Sequence, residues 1–316
     1  MKISIGILGK NSEWILKHSM VAVKQTLSYL RNHGVDFEVI YVDGGSRDGS
    51  VVTVKKMLDG SVRVVNAEGT NIPEARNVVI RESTGDYIVF WDSDIIAPPH
   101  TILRLVNLGL PIAAPDRRDV YIVDESDIIK YLETALSTIP SAVEVVEVPY
   151  VVFSVTAFKR EVFEKVGVFD ERMTQAEDRD FGIRARCRGI KSYLLKSDVV
   201  YDINRRLKSD VPITTPLRQY IRGVHKKAAI YAYSPSPRQR RNMLLYGAVH
   251  GVALISLFTH PLFLMAEMTP LAFFIVKYKF SKGVEMWLKS LIFYTSMIFA
   301  NIALWKYNIC EILDKW

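Results

Sequence analysis

The stretch DYIVFWDSDIIAPP, Asp86 to Pro99, runs from an unbroken apolar segment, Tyr87 to Trp91, into two carboxylates one residue apart, Asp92 and Asp94. A strand with no polar alternation is covered on both faces, as in a largely parallel sheet, and such sheets bind ligands beyond the carboxyl ends of their strands. The two acids therefore fall at a binding edge. In extended chain, residues i and i+2 point the same way, so both carboxylates converge on one point. Hard oxygen donors placed like this suit Mg or Mn, completed by substrate phosphates and water. These residues alone leave a second reading open: a solvated turn capped by Asp92, with Pro98 and Pro99 opening a helix.

Working outward, KISIGIL (2–8) alternates as a strand, 14–31 is helical, and DFEVIYVD (36–43) is a strand ending in Asp43. GGSRDGS (44–50) turns the chain into a helix, 62–65 is short extended chain, and IPEARNVVIREST (72–84) is helical until Gly85 stops it. Strand and helix alternate, which predicts an α/β fold with parallel central strands. Asp43, Asp92 and Asp94 then share one rim.

The chain has 316 residues, 41 Lys and Arg against 34 Asp and Glu, a net charge of +7, and 49% hydrophobic content. The apolar excess is concentrated after residue 242. Met243 to Val276 holds Glu267 and two histidines as its only ionisable side chains apart from Tyr246, and is too long for one helix across about 30 Å of hydrocarbon. It is expected to fold back, at Thr259–Pro261 or at Glu267–Pro270. A second run, Met286 to Trp305, makes three membrane helices, or two if part of the first run is re-entrant, with Lys289 near enough to the end to snorkel.

Between Arg205 and Arg241 stand ten Lys or Arg and one acid, Asp210, so residues 1 to 241 are expected on the cytoplasmic side. Within that stretch Leu217, Tyr220, Ile221, Val224, Ala228 and Tyr231 share one helical arc, with Arg218, Arg222 and Lys226 on another side. That pattern predicts a helix in the headgroup layer. The expected organisation is 1–204 as catalytic domain, 205–241 as basic interface helices and 242–316 as membrane domain. Two cysteines, Cys187 and Cys310, are too few and too far apart in sequence for a disulfide framework or a zinc site, which predicts a reducing compartment. The N-terminus shows no signal-peptide cleavage pattern, and no signal peptide is expected. Because the basic excess sits beside the apolar runs, nucleic-acid binding is not expected. Four glutamines suit a heat-adapted, archaeal source.

VDGGSRDGS (42–50), ARN (75–77), GDYIVFWDSD (85–94), FKREVFEKVGVFDE (158–171) and AEDRDFGIRARCRG (176–189), in this order, resemble the family 2 glycosyltransferases of GT-A fold over roughly residues 1 to 200. The resemblance implies a Rossmann-like, mainly parallel sheet between helices. It also implies roles. Asp43 would bond the nucleobase, and Gly9, Arg76, Asp92 and Ser93 would join it around the nucleotide sugar. Asp92 and Asp94 match the DxD motif that holds Mn or Mg on the donor diphosphate. Glu177 and Asp178 match the ED motif, with Asp178 as the base that deprotonates an acceptor hydroxyl; a helix cap is the other reading of Asp178.

RQYIRG (218–223) looks like a departure from the QxxRW motif of membrane-embedded members such as cellulose synthase. Gln219 and Arg222 match, Arg218 adds a cation on the acceptor side, and Gly223 stands where tryptophan would. The missing indole argues for transfer of a single sugar. DSDIIAPP is also similar to the DADLQHPP stretch of dolichyl-phosphate mannose synthases, with Ile96 in place of a glutamine that can assist the metal. This resemblance implies GDP-mannose as donor and a dolichyl or polyprenyl phosphate, or a glycan linked to it, as acceptor in glycan assembly. UDP-glucose with a polyprenyl phosphate is the alternative pair. A nucleotidyltransferase should show a glycine-rich basic motif after the first strand, and ILGKNSEW has one Gly and one Lys there. A decayed membrane scaffold would not need Asp43, Asp92, Asp94 and Asp178 all intact.

Overall fold

The computed structural model describes the chain except residues 140, 174, 206–216, 234–240, 243, 244, 246, 249, 252–267 and 316, and the side chains of 218, 219, 222, 269 and 315. It forms two compact units: Met1–Glu171 with Glu177–Lys208, and Arg172–Ala176 with Ser209–Trp316.

The first unit is built on one sheet with the strand order β3-β2-β1-β4-β8-β6-β9-β5, and β7 added on β9. Strands β1 (Lys2–Gly9), β2 (Asp36–Asp43), β3 (Arg63–Asn66) and β4 (Tyr87–Asp92) run parallel. The helices between them are α1 (Glu13–Asn32), α2 (Ser50–Leu58) and α3 (Ile72–Glu82). Beyond β4 the sheet turns mixed. β8 (Val155–Lys159) is antiparallel to β4 and to β6 (Ile112–Ile122), and β6 is parallel to β9 (Ser192–Arg205). The two-residue β5 (Ile95–Ile96) and the short β7 (Val145–Val148) both pair with β9 antiparallel.

The apolar reading of β4 has its cause in two cores, one on each face of the sheet. Ile3, Ile5, Ile7, Val39, Tyr41, Val89 and Trp91 enter one, with α1. Ile40, Val42, Ile88, Phe90 and Val79 of α3 enter the other. Helix α3 comes so near β1 that a Cβ on Gly6 would stand 2.2 Å from Val79 Cγ1. Its start is a full capping box: Asn71 accepts from Glu74 N, and Glu74 accepts from Asn71 N. The chain order reverses between β1 and β4, and at such a point the strand ends leave a crevice. Register places Gly9 beside Asp43, Asp43 beside Asn66 and Leu8 beside Asp92, so the rim expected from the sequence exists.

The rest of the first unit comprises α4 (Thr101–Asn107), α5 (Ser126–Ser137), α6 (Arg160–Val166) and α7 (Glu177–Cys187). The second unit contains α8 (Leu217–Tyr233), α9 (Met268–Tyr278), α10 (Phe280–Lys306) and α11 (Ile309–Lys315). Among the described residues one helix, α10, is long and apolar enough to cross a membrane. Most of the first apolar run, and the hairpin expected at Thr259–Pro261, lie outside the described residues.

One expectation is extended and one is corrected. Part of the apolar arc of α8 packs on protein. Val224 and Ala228 are buried, and α8 packs along α10, with Tyr220 Oη donating to Lys289 O at 3.4 Å and His225 paired with Ser296. Lys226, placed on the polar side by periodicity, is buried as well, because the helix is covered over a wider arc than its hydrophobic stripe. Neither cysteine, Cys187 nor Cys310, is a free thiol. A count of two does not imply reduced thiols, and the compartment drawn from it loses that support.

Candidate active site

The two acids at the end of β4 do not converge through strand parity. The strand stops at Asp92 and the chain turns at Ser93 and Asp94, so Asp94 sits in a turn rather than in extended backbone. Trp91 closes that turn, its Nε1 donating to Ile95 O at 3.1 Å, and Ser93 Oγ donates to Ser12 Oγ at 3.1 Å. Asp94 O accepts from Ile203 N at 3.0 Å. The Asp94 carboxyl is pushed up to about 7, by burial first and then by the charges of Asp92 and Asp202.

Asp92 has an ion-pair partner. Arg76 of α3 places Nη2 3.3 Å from Asp92 Oδ1 and donates from Nη1 to Glu177 at the start of α7. The arginine is 3% exposed, with its guanidinium carbon 4.7 Å from the centre of the Phe153 ring. Its partners therefore come from a strand end and another helix, not from the glutamates of its own helix. Asp178 follows Glu177 in the first turn of α7 and accepts from Arg179 N at 2.7 Å. Burial first, and Glu177 second, push Asp178 up to about 6. Asp180, in the same turn, is fully buried and paired with Arg184 at 2.9 Å.

At the end of β2, Asp43 Oδ2 accepts from Gly45 N at 3.1 Å and Ser46 N at 2.9 Å, and Oδ1 accepts from Ser46 Oγ. This is the Asx turn its sequence allows, with Gly45 at a φ of 88°. Gly9 leaves room for Tyr41, whose hydroxyl would be 2.3 Å from any Cβ there.

Residues 21–167 match the family model described as Glycosyl transferase family 2. The match covers just under half of the chain. It contains Asp43, Arg76, Asp92 and Asp94, and ends before Glu177 and Asp178. The chain is 35% identical to the poly(ribitol-phosphate) beta-glucosyltransferase of Bacillus spizizenii over 116 residues, 34% of this chain and 17% of that protein. It spans 35% or less of the length of the curated relatives it matches. Two solved structures share the fold. The mannosyltransferase PcManGT of Pyrobaculum calidifontis, in complex with GDP-Man and Mn2+, is 17% identical with a TM-score of 0.51, covering 95% of this chain and 86% of that one. S. aureus TarS 1-349 in complex with UDP-GlcNAc is 14% identical with a TM-score of 0.51, covering 97% and 92%.

Metal use can be tested on the donor set the fold provides. Among the described residues no group of three or more His, Cys, Asp or Glu side chains converges to enclose an ion. Asp92 and Asp94 instead fit an ion that takes its remaining oxygens from a diphosphate and water. Burial raises Asp94 most, and the charges of Asp92 and Asp202 that add to it are what a cation would relieve. Sequence reading missed Asp202, which lies opposite Ile95 in the ladder and pairs with Arg117 at 3.1 Å. Nothing in the strand pattern around it separates it from a solvated strand residue. Arg218, Gln219 and Arg222 lie on α8, and their side chains are outside the described ones.

Proposed function

We propose that the chain is a nucleotide-sugar-dependent glycosyltransferase that moves one sugar, with inversion, to a hydroxyl of an acceptor carried on a membrane lipid. The observation that carries this reading is the Arg76 link, which ties the start of the helix bearing Asp178 to Asp92 at the donor edge. Base and donor acid are thereby held on one rigid frame, as transfer between two bound molecules demands.

In the transfer, Asp178 accepts the hydroxyl proton as the new C–O bond forms at the anomeric carbon and the bond to the diphosphate breaks. Asp92 and Asp94 would hold an Mn or Mg ion, which when bound would supply Lewis-acid stabilisation of the departing phosphate oxygens. Asp43, its turn already formed, offers carboxylate oxygens at the nucleobase end, beside Gly9. Ser93, fixed by Ser12, holds the turn at the ribose and diphosphate. Arg76 is too enclosed to act mainly on the donor, and its part is to position Asp92 and Glu177.

The raised Asp178 favours a sugar hydroxyl over a phosphate, since a phosphate monoester is already ionised near pH 7 and needs no base. GDP-mannose is the first donor to test, on the likeness of DSDIIAPP to mannose synthases, and UDP-glucose the second. The apolar α10 and the basic stretch 205–241 support a membrane-bound enzyme with its catalytic unit on the cytoplasmic side. The test is detergent-purified protein assayed with GDP-mannose, UDP-glucose and UDP-GlcNAc, with and without Mn2+, on polyprenyl phosphates and their glycosylated forms. Metal-dependent transfer to a glycosylated lipid is the expected result. Donor binding without turnover on any acceptor would instead mark a scaffold.

A further inference from the structure

The chain entering α1 and the chain entering α2 hold each other side by side. Asn11, at a φ of 51°, donates from its backbone N to Ser46 Oγ at 2.9 Å and accepts at Oδ1 from Arg47 N at 2.8 Å. Asparagine is among the few residues with a Cβ that enter this left-handed region readily. Glu13 N donates to Asp48 Oδ2 at 3.1 Å, and Glu13 Oε2 accepts from Gly49 N at 2.8 Å. Between them Ser12 N donates to Ser50 Oγ at 2.8 Å.

Helix starts commonly offer backbone donors to phosphate. Here the donors of Ser12, Glu13, Gly49 and Ser50 are already taken by protein side chains, the last by Asp48 Oδ1 at 3.0 Å. The joint is therefore spent on holding itself together, and it touches both ends of the donor edge. Ser46 Oγ, which accepts from Asn11 N, donates to Asp43 Oδ1 at 2.5 Å. Ser12 is buried, and its Oγ accepts from Ser93 Oγ at 3.1 Å while donating to Lys10 O at 3.2 Å.

We infer that Asn11 and Ser12 are positioning residues for the donor: adjacent in sequence, they lock the Asp43 turn and the Ser93 turn into one cradle that is formed before a nucleotide arrives. They act by preorganisation, because a loop that is already ordered adds no ordering cost to binding. This task rests on the donor-site reading above.

Calorimetry with GDP and UDP, each with Mn2+, on the full chain in detergent tests the inference, beside hydrogen exchange without ligand. Asn11→Gly can still adopt the left-handed backbone but loses the acceptor for Arg47 N. Its nucleotide affinity should fall about tenfold, and amides of 44–50 should exchange about tenfold faster, while β1, β2 and β4 stay protected. Asn11→Asp keeps both the acceptor and the backbone preference, and should return 44–50 near the original exchange rate. Ser12→Ala should loosen 92–96 in the same way and weaken nucleotide binding by a similar factor. Where transfer is measurable, donor KM should rise in both with acceptor KM unchanged, a split that a merely structural role would not produce.

Unaltered nucleotide affinity in both Asn11→Gly and Ser12→Ala overturns the inference, as does an Asn11→Asp loop that exchanges as fast as that of Asn11→Gly. An exchange increase spread evenly over β1, β2 and β4 means general loosening and overturns it too. Should the unaltered protein bind neither nucleotide, the donor-site reading falls and takes the inference with it; binding in the unaltered protein with no change in the variants removes the inference alone.

Discussion

Glu177 and Asp92 share one cation. Arg76 donates to the first and sits 3.3 Å from the second, so the start of α7 and the end of β4 are held together at a distance no local interaction spans. Taking away one member of a buried charge cluster costs about 3–5 kcal/mol, since the others are left uncompensated. Arg76→Met should therefore lower the melting temperature and abolish transfer. Arg76→Lys keeps the charge but loses the planar fork that reaches two carboxylates, and should recover stability more than turnover. Melting curves and turnover on the same preparations measure both effects, and full turnover in the lysine variant would show that the shared bridge is dispensable.

The position of Asp178, pushed up to about 6 by burial and then by Glu177, sets a pH dependence. A base acts only when ionised, so kcat/KM should fall on the acid side with a midpoint near 6 rather than near the ordinary carboxylate value of about 4. For stability the sign is opposite. A carboxyl whose folded pKa exceeds its unfolded one contributes fully below the unfolded value, and that contribution is lost as pH rises through about 6. Asp178→Asn should thus hold or gain stability above pH 6 while losing transfer and keeping nucleotide affinity. A flat rate profile between pH 5 and 7 would be incompatible with Asp178 as the base.

Chelation by EDTA should stop transfer, and Mn2+ or Mg2+ should restore it. Asp94→Ala should lower metal-dependent nucleotide affinity by more than about tenfold, equivalent to about 1.4 kcal/mol. Calorimetry with GDP and UDP, with and without Mn2+, reads this directly. Equal affinities in the variant and the unaltered protein would remove Asp94 from the metal site.

The approach of α3 to β1 gives a stability test away from the site. Gly6→Ala places a methyl against Val79 Cγ1 and should cost about 1–3 kcal/mol by overpacking. Val79→Ala opens space in the same spot. The double variant should therefore be more stable than the sum of the two single losses, with a coupling of about 0.5–3 kcal/mol in a denaturant double-mutant cycle.

Much of the donor edge was legible along the chain. The course of β1, β2 and β4, the helix beginning at Ile72 and the placing of Asp43 and Asp92 on one rim follow from local pattern, because strand periodicity and turn chemistry act over a few residues. The folded structure alone decided that Asp94 lies in a turn, that Asp202 stands beside it, that Arg76 serves Glu177 rather than its own helix, and that Lys226 is buried. Each of these depends on burial or on side chains brought together from separate strands and helices, and neither leaves a mark on the residues nearby in sequence. The acids could be read from order alone; which charges offset them, and so how readily they ionise, was decided by packing.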